Sequence, residues 1–297
     1  MARRVVQLSD THFLEAGSAP EGGFAYDTVA AFDALLPHIR SLAPDLVAVT
    51  GDVADHGRLE QYRVAAEAFE RIGRPVNLCP GNHDQHAAFT SVARPTLATS
   101  RVVHSDNWCH LFVDSNAGAL TVGPDGELSD PEDYDDRLHI NGVLGEREAR
   151  WIHEQAELTD ADHLFIWCHH PPAPTAGISA DEAYEAEWRS LLPEIANLRG
   201  IAAGHTHVPG EYELLGVPVF MAPALKNNFD IEARTLLPPG FRSFDFRDDG
   251  SVTSELHFAD GPEWPRAPYG RAVHALMTGE LSWQEFNAIV ARKAASG

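Results

Sequence analysis

The chain has 297 residues and a formal charge of −22, from 44 acidic and 22 basic side chains. Such a surface repels polyanions, which sets long DNA or RNA aside as a partner. Apolar residues make up 44% of the chain and no apolar run approaches 18 residues, which excludes a helical membrane span.

The length allows one large domain or two small ones. Residue 1 leads almost directly into the apolar stretch Val5-Val6-Gln7-Leu8, without the basic segment and apolar core of a leader peptide. Cys79, Cys109 and Cys168 are an odd number without metal-type spacing. Reduced thiols and a cytoplasmic location are therefore expected.

Arg3 to Leu8 predicts a buried strand, followed by Ser9-Asp10-Thr11-His12. Residues 13–25 read as a loop. From Tyr26, the apolar residues Val29, Phe32, Leu35, Leu36 and Ile39 recur at helical spacing, with Pro37 expected to bend or interrupt the helix. Asp45 to Thr50 is a strand apolar enough to be buried on both faces, and it delivers Gly51-Asp52. Leu59 to Ile72 predicts a second helix with Tyr62, Ala65, Phe69 and Ile72 facing inward. Pro75 to Cys79 is a third strand, ending in Gly81-Asn82-His83-Asp84.

Val102-Val103 and Leu111-Phe112-Val113 suggest an antiparallel pair. Residues 118–142, rich in Gly, Pro and acid, read as a loop or flap. A helix is expected from Glu146 to Leu158 with Trp151 and Ile152 inward, then a strand His163 to Trp167 delivering His169-His170-Pro171-Pro172. Asp181 to Leu198 is expected to be helical. Gly200-Ile201-Ala202-Ala203 is a strand-like run ending in Gly204-His205-Thr206-His207. Two hairpins follow, Glu211–Leu214 with Val217–Met221 and Phe241–Phe246 with Ser251–Phe258, and a capping box at Ser282 to Glu285 announces a last helix.

Each ligand-type cluster alone admits a bland reading as a turn, a cap or a surface pair. Five such clusters, each after an apolar run, do not look like chance. On strands, residues two apart share a face, so each pair is expected to project together. Seven or eight N and O donors exceed what one tetrahedral zinc uses and suit two metals sharing a carboxylate.

Asp10-x-His12, Gly51-Asp52, Gly81-Asn82-His83-Asp84, His169-His170-Pro171 and Gly204-His205-Thr206-His207 resemble, in order, the signature blocks of the calcineurin-like metallophosphoesterases. The resemblance implies an α/β fold, a four-layer α/β/β/α sandwich of two mixed sheets. It implies a catalytic core over residues 1–225, with 226–297 completing or capping the same domain. It also implies two divalent metal ions (Mn, Fe, Zn or Co). Asp10, His12 and His207 would serve the first, Asn82, His169 and His205 the second, and Asp52 would bridge. His83 would be the catalytic histidine beside the substrate, and Asp84 would orient it or cap the next helix.

The implied reaction is in-line attack on phosphorus by a metal-activated hydroxide. Asp55 stands where purple acid phosphatases carry a tyrosine, and Asp84 where protein Ser/Thr phosphatases carry a glutamate. The chain most resembles the bacterial class III cyclic nucleotide phosphodiesterases, with glycerophosphodiesterases or broader phosphodiesterases as the alternative. The expected substrate is a small phosphodiester. A homo-oligomer is suggested by family analogy alone. Members that lost their ligands serve as protein-binding scaffolds, but every ligand position here keeps a competent residue. Lys226, Asn227 and Asn228 follow a strand-like run and are candidates to meet a phosphate or base, against ordinary loop polarity.

Overall fold

The computed structural model describes residues 3–18, 25–94, 96–124, 128–131, 141–173, 182–264, 266–281, 285–286 and 289. The first third of the chain alternates strand and helix: β1 (Arg3–Leu8), α1 (Thr28–Ser41), β2 (Leu46–Thr50), α2 (Leu59–Glu70), β3 (Val76–Cys79), α3 (His86–Thr90) and β4 (Leu97–Ala98). Each of β1 to β4 is parallel to the next. The middle third opens with the antiparallel pair β5 (Val102–Ser105) and β6 (Trp108–Phe112). A small ladder of β7 (Thr121–Val122) and β8 (Leu128–Ser129) follows. Then come α4 (Gly145–Leu158), β9 (His163–Trp167), α5 (Glu182–Leu191), β10 (Leu198–Ala203), β11 (Gly210–Leu214) and β12 (Val217–Met221). The last third holds β13 (Asn228–Asp230), β14 (Thr235–Leu237), β15 (Gly240–Phe246), β16 (Val252–Phe258) and α6 (Arg271–Met277).

Two six-stranded sheets result, in the orders β16-β15-β1-β2-β3-β4 and β11-β12-β10-β9-β6-β5. Both are mixed. β15 pairs antiparallel with β1, so the chain beyond residue 225 supplies two strands to the first sheet. Strand periodicity divides the side chains among three cores. Val6 and Leu8 of β1 pack with Phe32, Ile39, Tyr62 and Phe69 beneath α1 and α2. Leu164 and Ile166 of β9 pack with Ile152, Tyr184 and Trp188 beneath α4 and α5. The alternate residues, Val5, Phe165 and Trp167, meet Trp108, Phe112, Phe220, Phe244 and Phe246 between the sheets. The architecture is helix, sheet, sheet, helix. Near the end of β1, Gln7 joins the sheets, donating to Thr50 Oγ1 at 2.9 Å and to Ala203 O at 3.1 Å. Among the described residues, no helix is long and apolar enough to cross a membrane. The three cysteines are buried and free.

Several elements differ from expectation for identifiable reasons. α1 runs through Pro37 without interruption, because the lost N–H removes one bond while Phe32, Leu35, Leu36 and Ile39 stay buried. Asp27 caps its first turn, and Val29 falls outside the buried stripe at 39% exposure. α5 stops at Leu191, where Pro193 enters a 3₁₀ turn, and Leu198 already belongs to β10. Trp151 is only partly buried, its ring lying beneath the Arg101 guanidinium at 3.4 Å. The described part of 118–142 includes the β7–β8 ladder. Ser282 to Gln284 lie outside the described residues, whereas α6 was not anticipated. Its cap is Gly270, which offers no side chain to bond the first turn.

One histidine of the inter-sheet core makes the fold acid-sensitive. His110 is fully buried, accepts from Trp167 Nε1 at 3.3 Å, and is pushed down to about 3 by burial. It is neutral in the fold at pH values where the unfolded chain, titrating near 6.5, takes up a proton. The unfolded state therefore binds more protons below pH 6.5, and stability falls as pH falls toward 3, by up to about 1.4 kcal/mol per pH unit from this group. His110→Phe loses the indole's acceptor at every pH but should flatten this acid limb. Urea unfolding at pH 7, 6, 5 and 4 checks it; an unchanged slope rejects it.

Candidate metal centre

β1, β2, β3, β9 and β10 are among the parallel strands of the two sheets, and their C-terminal ends share one edge. Strand ends thus deliver Asp10 and His12, Asp52, Asn82 and His83, His169, and His205 and His207 to one place. Asp10 and Asp52 are nearly inaccessible at 0% and 2% exposure.

The local device is not the strand alternation expected from the sequence. β1 ends at Leu8 and β10 at Ala203, before their clusters begin. Asp10, His12, Asp52, His205 and His207 instead take left-handed backbone, with φ of 50°, 42°, 50°, 70° and 54°. Such a residue costs on the order of 1–3 kcal/mol and persists only where its surroundings impose it. Here the loops bond one another. Asp10 and His12 N–H donate to Gly51 O and Asp52 O at 3.1 and 2.8 Å, and Gly204 N–H to His169 O at 2.9 Å. The His205 N–H donates to both Asp10 carboxylate oxygens at 3.0 Å, and the His83 N–H to Asp52 Oδ1 at 3.0 Å. Two glycines permit this closeness. A Cβ on Gly204 would lie 1.8 Å from Ser9 Oγ, and one on Gly81 would lie 2.2 Å from Asp52 Oδ1.

Donor atoms fill the centre. Asp52 Oδ2 lies 3.4 Å from His12 Nε2, 3.3 Å from His169 Nε2 and 4.0 Å from His83 Nε2. His169 Nε2 is 3.1 Å from Asn82 Oδ1 and 3.2 Å from His205 Nδ1. His207 Nε2 is 3.1 Å from Asp10 Oδ1. Four imidazoles commit Nδ1 outward: His169 to Thr50 O at 2.9 Å, His12 to Asp55 Oδ1 at 2.9 Å, His83 to Asp55 O at 2.7 Å, and His207 to Asn227 Oδ1. Their Nε2 atoms are left turned inward, where lone pairs face lone pairs. Only a proton or a cation makes that favourable. Among the described residues, the buried His12 Nε2 and His205 Nε2 have no hydrogen-bond partner.

The electrostatics agree. Burial would raise the Asp52 carboxyl, but His169, His83 and His12 hold it well below the usual range. Burial would lower His169, but Asp52 and Asp10 raise it to about 9. Burial, helped by Lys226, pushes His12 down to about 3, and burial with His169 does the same to His205. Anionic carboxylates, an amide oxygen and imidazoles, of which His12 and His205 are held neutral, suit two borderline divalent cations. The donor set fits such a pair.

The other sequence-selected residues have distinct places. Asp84 accepts from the N–H groups of Val53, Ala54 and Gly81 and from Tyr62 Oη at 2.8 Å, tying the β2 and β3 loops together. Burial and Asp52 raise it to about 6. His170 sits behind His205, ring centroids 4.3 Å apart, with Nδ1 2.8 Å from Ser115 Oγ. Asp55, read from the sequence only as a replaced tyrosine, proves to be a hub. It meets His12, His56 Nε2 at 3.4 Å and Lys226 Nζ at 2.5 Å. An acid three residues beyond Asp52 was the available signal.

The chain is similar to known proteins. The chain is 25% identical over 269 residues to the 3′,5′-cyclic adenosine monophosphate phosphodiesterase CpdA of Escherichia coli (strain K12), covering 86% of this chain and 89% of that protein. It is 29% identical over 210 residues to the glycerophosphodiester phosphodiesterase GpdQ of Enterobacter lignolyticus, covering 68% and 70%. The fold matches the crystal structure of a dimetal phosphatase from Danio rerio with a TM-score of 0.61 at 14% identity, covering 87% of this chain and 96% of that one. The sequence profile of the calcineurin-like phosphoesterases spans residues 3–209, which contain all eight of these inward-facing residues. With its five motifs gathered at one edge of two facing sheets, the chain belongs to the calcineurin-like phosphoesterase family.

Proposed function

We propose that this protein hydrolyses phosphodiesters with a pair of divalent cations and that its substrate is a 3′,5′-cyclic nucleotide. The observation that carries the reading is the set of inward lone pairs around Asp52, which a proton can satisfy only in part. Asp10, His12 and His207 would hold one cation and Asn82, His169 and His205 the other, with Asp52 between them. The pair would supply Lewis acidity toward phosphoryl oxygens and a water acidic enough to ionise near neutrality.

The chain's own groups do the rest. The backbone N–H groups of His205 and His83 orient the two carboxylates. His83 keeps Nε2 toward the centre and a quarter of its side chain exposed, as a group that meets substrate must. From there it can stabilise charge on the phosphoryl oxygens or, once protonated at Nε2, give a proton to the leaving oxygen. The likeness to CpdA over 86% of the chain favours a cyclic nucleotide. The higher identity to GpdQ, over a shorter stretch, makes a glycerophosphodiester the second reading.

The test is a panel on protein stripped by chelator and reloaded with manganese, iron, cobalt or zinc. It comprises cyclic nucleotides, glycerophosphodiesters, an aryl diester and the matching monoester. Chelation should abolish diester turnover and metal restore it, with cyclic nucleotides fastest. Glycerophosphodiesters fastest would select the second reading, and monoester turnover far above every diester would reject both.

A further inference from the structure

Lys226 and Asn227 were candidates to touch a phosphate or base. The structure places Asn227 against the outer side of His207 and Lys226 against Asp55, which holds the outer side of His12. From the residues they hold, we infer that Lys226 and Asn227 are positioning residues for the cation site of Asp10, His12 and His207. This inference rests on the metal-centre reading above.

The segment after β12 runs along two of those residues, Asp10 and His207. Leu225 and Lys226 N–H groups donate to Asp10 O at 3.3 and 3.4 Å, and Ser9 bridges to Ala224. The Phe229 N–H donates to His207 O at 2.9 Å. Asn228, fully buried, fixes the turn between them. Its Oδ1 accepts from Ala224 N–H at 2.6 Å, and its Nδ2 donates to Ala224 O and Pro238 O at 2.8 Å each. The Lys226 O accepts from Tyr26 N–H at 2.8 Å. The two side chains therefore leave an anchored backbone.

Each then acts on one imidazole, Asn227 directly and Lys226 through Asp55. Asn227 Oδ1 accepts the Nδ1 proton of His207, which sets the tautomer with Nε2 free to face Asp10. Lys226 Nζ donates to Asp55 Oδ1, the same oxygen that receives His12 Nδ1–H at 2.9 Å. The ammonium locks the carboxylate that locks His12, and it offsets a buried negative charge without entering the centre. Partners of this kind turn the ligand nitrogen inward before a cation arrives, and losing one costs about 10–100-fold in metal affinity. His169 differs: its outer acceptor is the backbone carbonyl of Thr50, which no side-chain change removes. The clamp therefore acts on one side of the centre only.

The test is a manganese titration of metal-stripped full-length protein by calorimetry, with no substrate present. Asn227→Leu and Lys226→Met should each weaken one binding step by about 10–100-fold and leave the other within about 2-fold. Asn227→Asp, which keeps an acceptor for His207 Nδ1, and Lys226→Arg should restore most of the loss. Circular dichroism of the metal-free variants guards against misfolding; Lys226→Met, at a partly exposed side chain, is the safer of the two. Wild-type affinities in both Asn227→Leu and Lys226→Met overturn the clamp, as does equal weakening of both steps. A wild-type protein that takes two manganese ions but cleaves no diester overturns the proposed function and leaves the clamp standing.

Discussion

Asp52→Asn should reduce bound divalent metal from two ions toward one per chain and lower diester turnover on the order of 10³-fold. The choice of asparagine isolates the charge. Asp52 has φ of 50°, a conformation asparagine tolerates and alanine does not. The amide oxygen can still accept the His83 N–H that now reaches Oδ1 at 3.0 Å. What disappears is the anion between His12 Nε2 at 3.4 Å and His169 Nε2 at 3.3 Å. Each cation half has other donors, Asp10 with His207 on one side and Asn82 with His205 on the other, so neither half should empty completely. Without a shared carboxylate, two like charges lose the anion that screens them from each other. Elemental analysis after reloading, beside turnover of a cyclic nucleotide, checks both consequences. Two ions per chain with undiminished turnover would remove Asp52 from the centre.

The motifs were legible because they are short and follow apolar runs, and because parallel strands must end on a common edge. Gly51-Asp52 after Leu46–Thr50 is such a case. Legibility failed wherever the cause was not local. The pairs Asp10/His12 and His205/His207 converge through left-handed backbone, which no period-2 pattern encodes, and which the contacts of five loops impose together. Lys226 and Asn227 were visible as polar residues after a strand, but their partners Asp55 and His207 are 171 and 20 positions away. Other misses were local and avoidable. Pro193 marks the end of α5 in the sequence itself. α6, by contrast, has seven residues and no side-chain cap, too little pattern to separate from loop.

His83→Ala should lower turnover of a cyclic or alkyl diester by about 10²–10⁴-fold while leaving two ions bound. The imidazole is held for this role without being committed to a cation half. Its Nδ1–H is given to Asp55 O at 2.7 Å, its ring meets His12 edge-on with centroids 4.7 Å apart, and Nε2 stays 4.0 Å from Asp52 Oδ2. A group there can stabilise phosphoryl charge, protonate the departing oxygen, or do both. The two contributions separate by leaving group. A nitrophenolate departs without help, so a variant lacking only a proton donor should lose little on an aryl diester and much on an alkyl one. Loss of charge stabilisation should appear equally on both. The ratio of wild-type to His83→Ala turnover, measured across leaving groups of rising basicity at saturating manganese, therefore reads the division directly. A ratio that climbs with basicity assigns the proton to His83, a flat ratio well above one assigns it charge stabilisation alone, and a ratio of one throughout takes His83 out of the reaction.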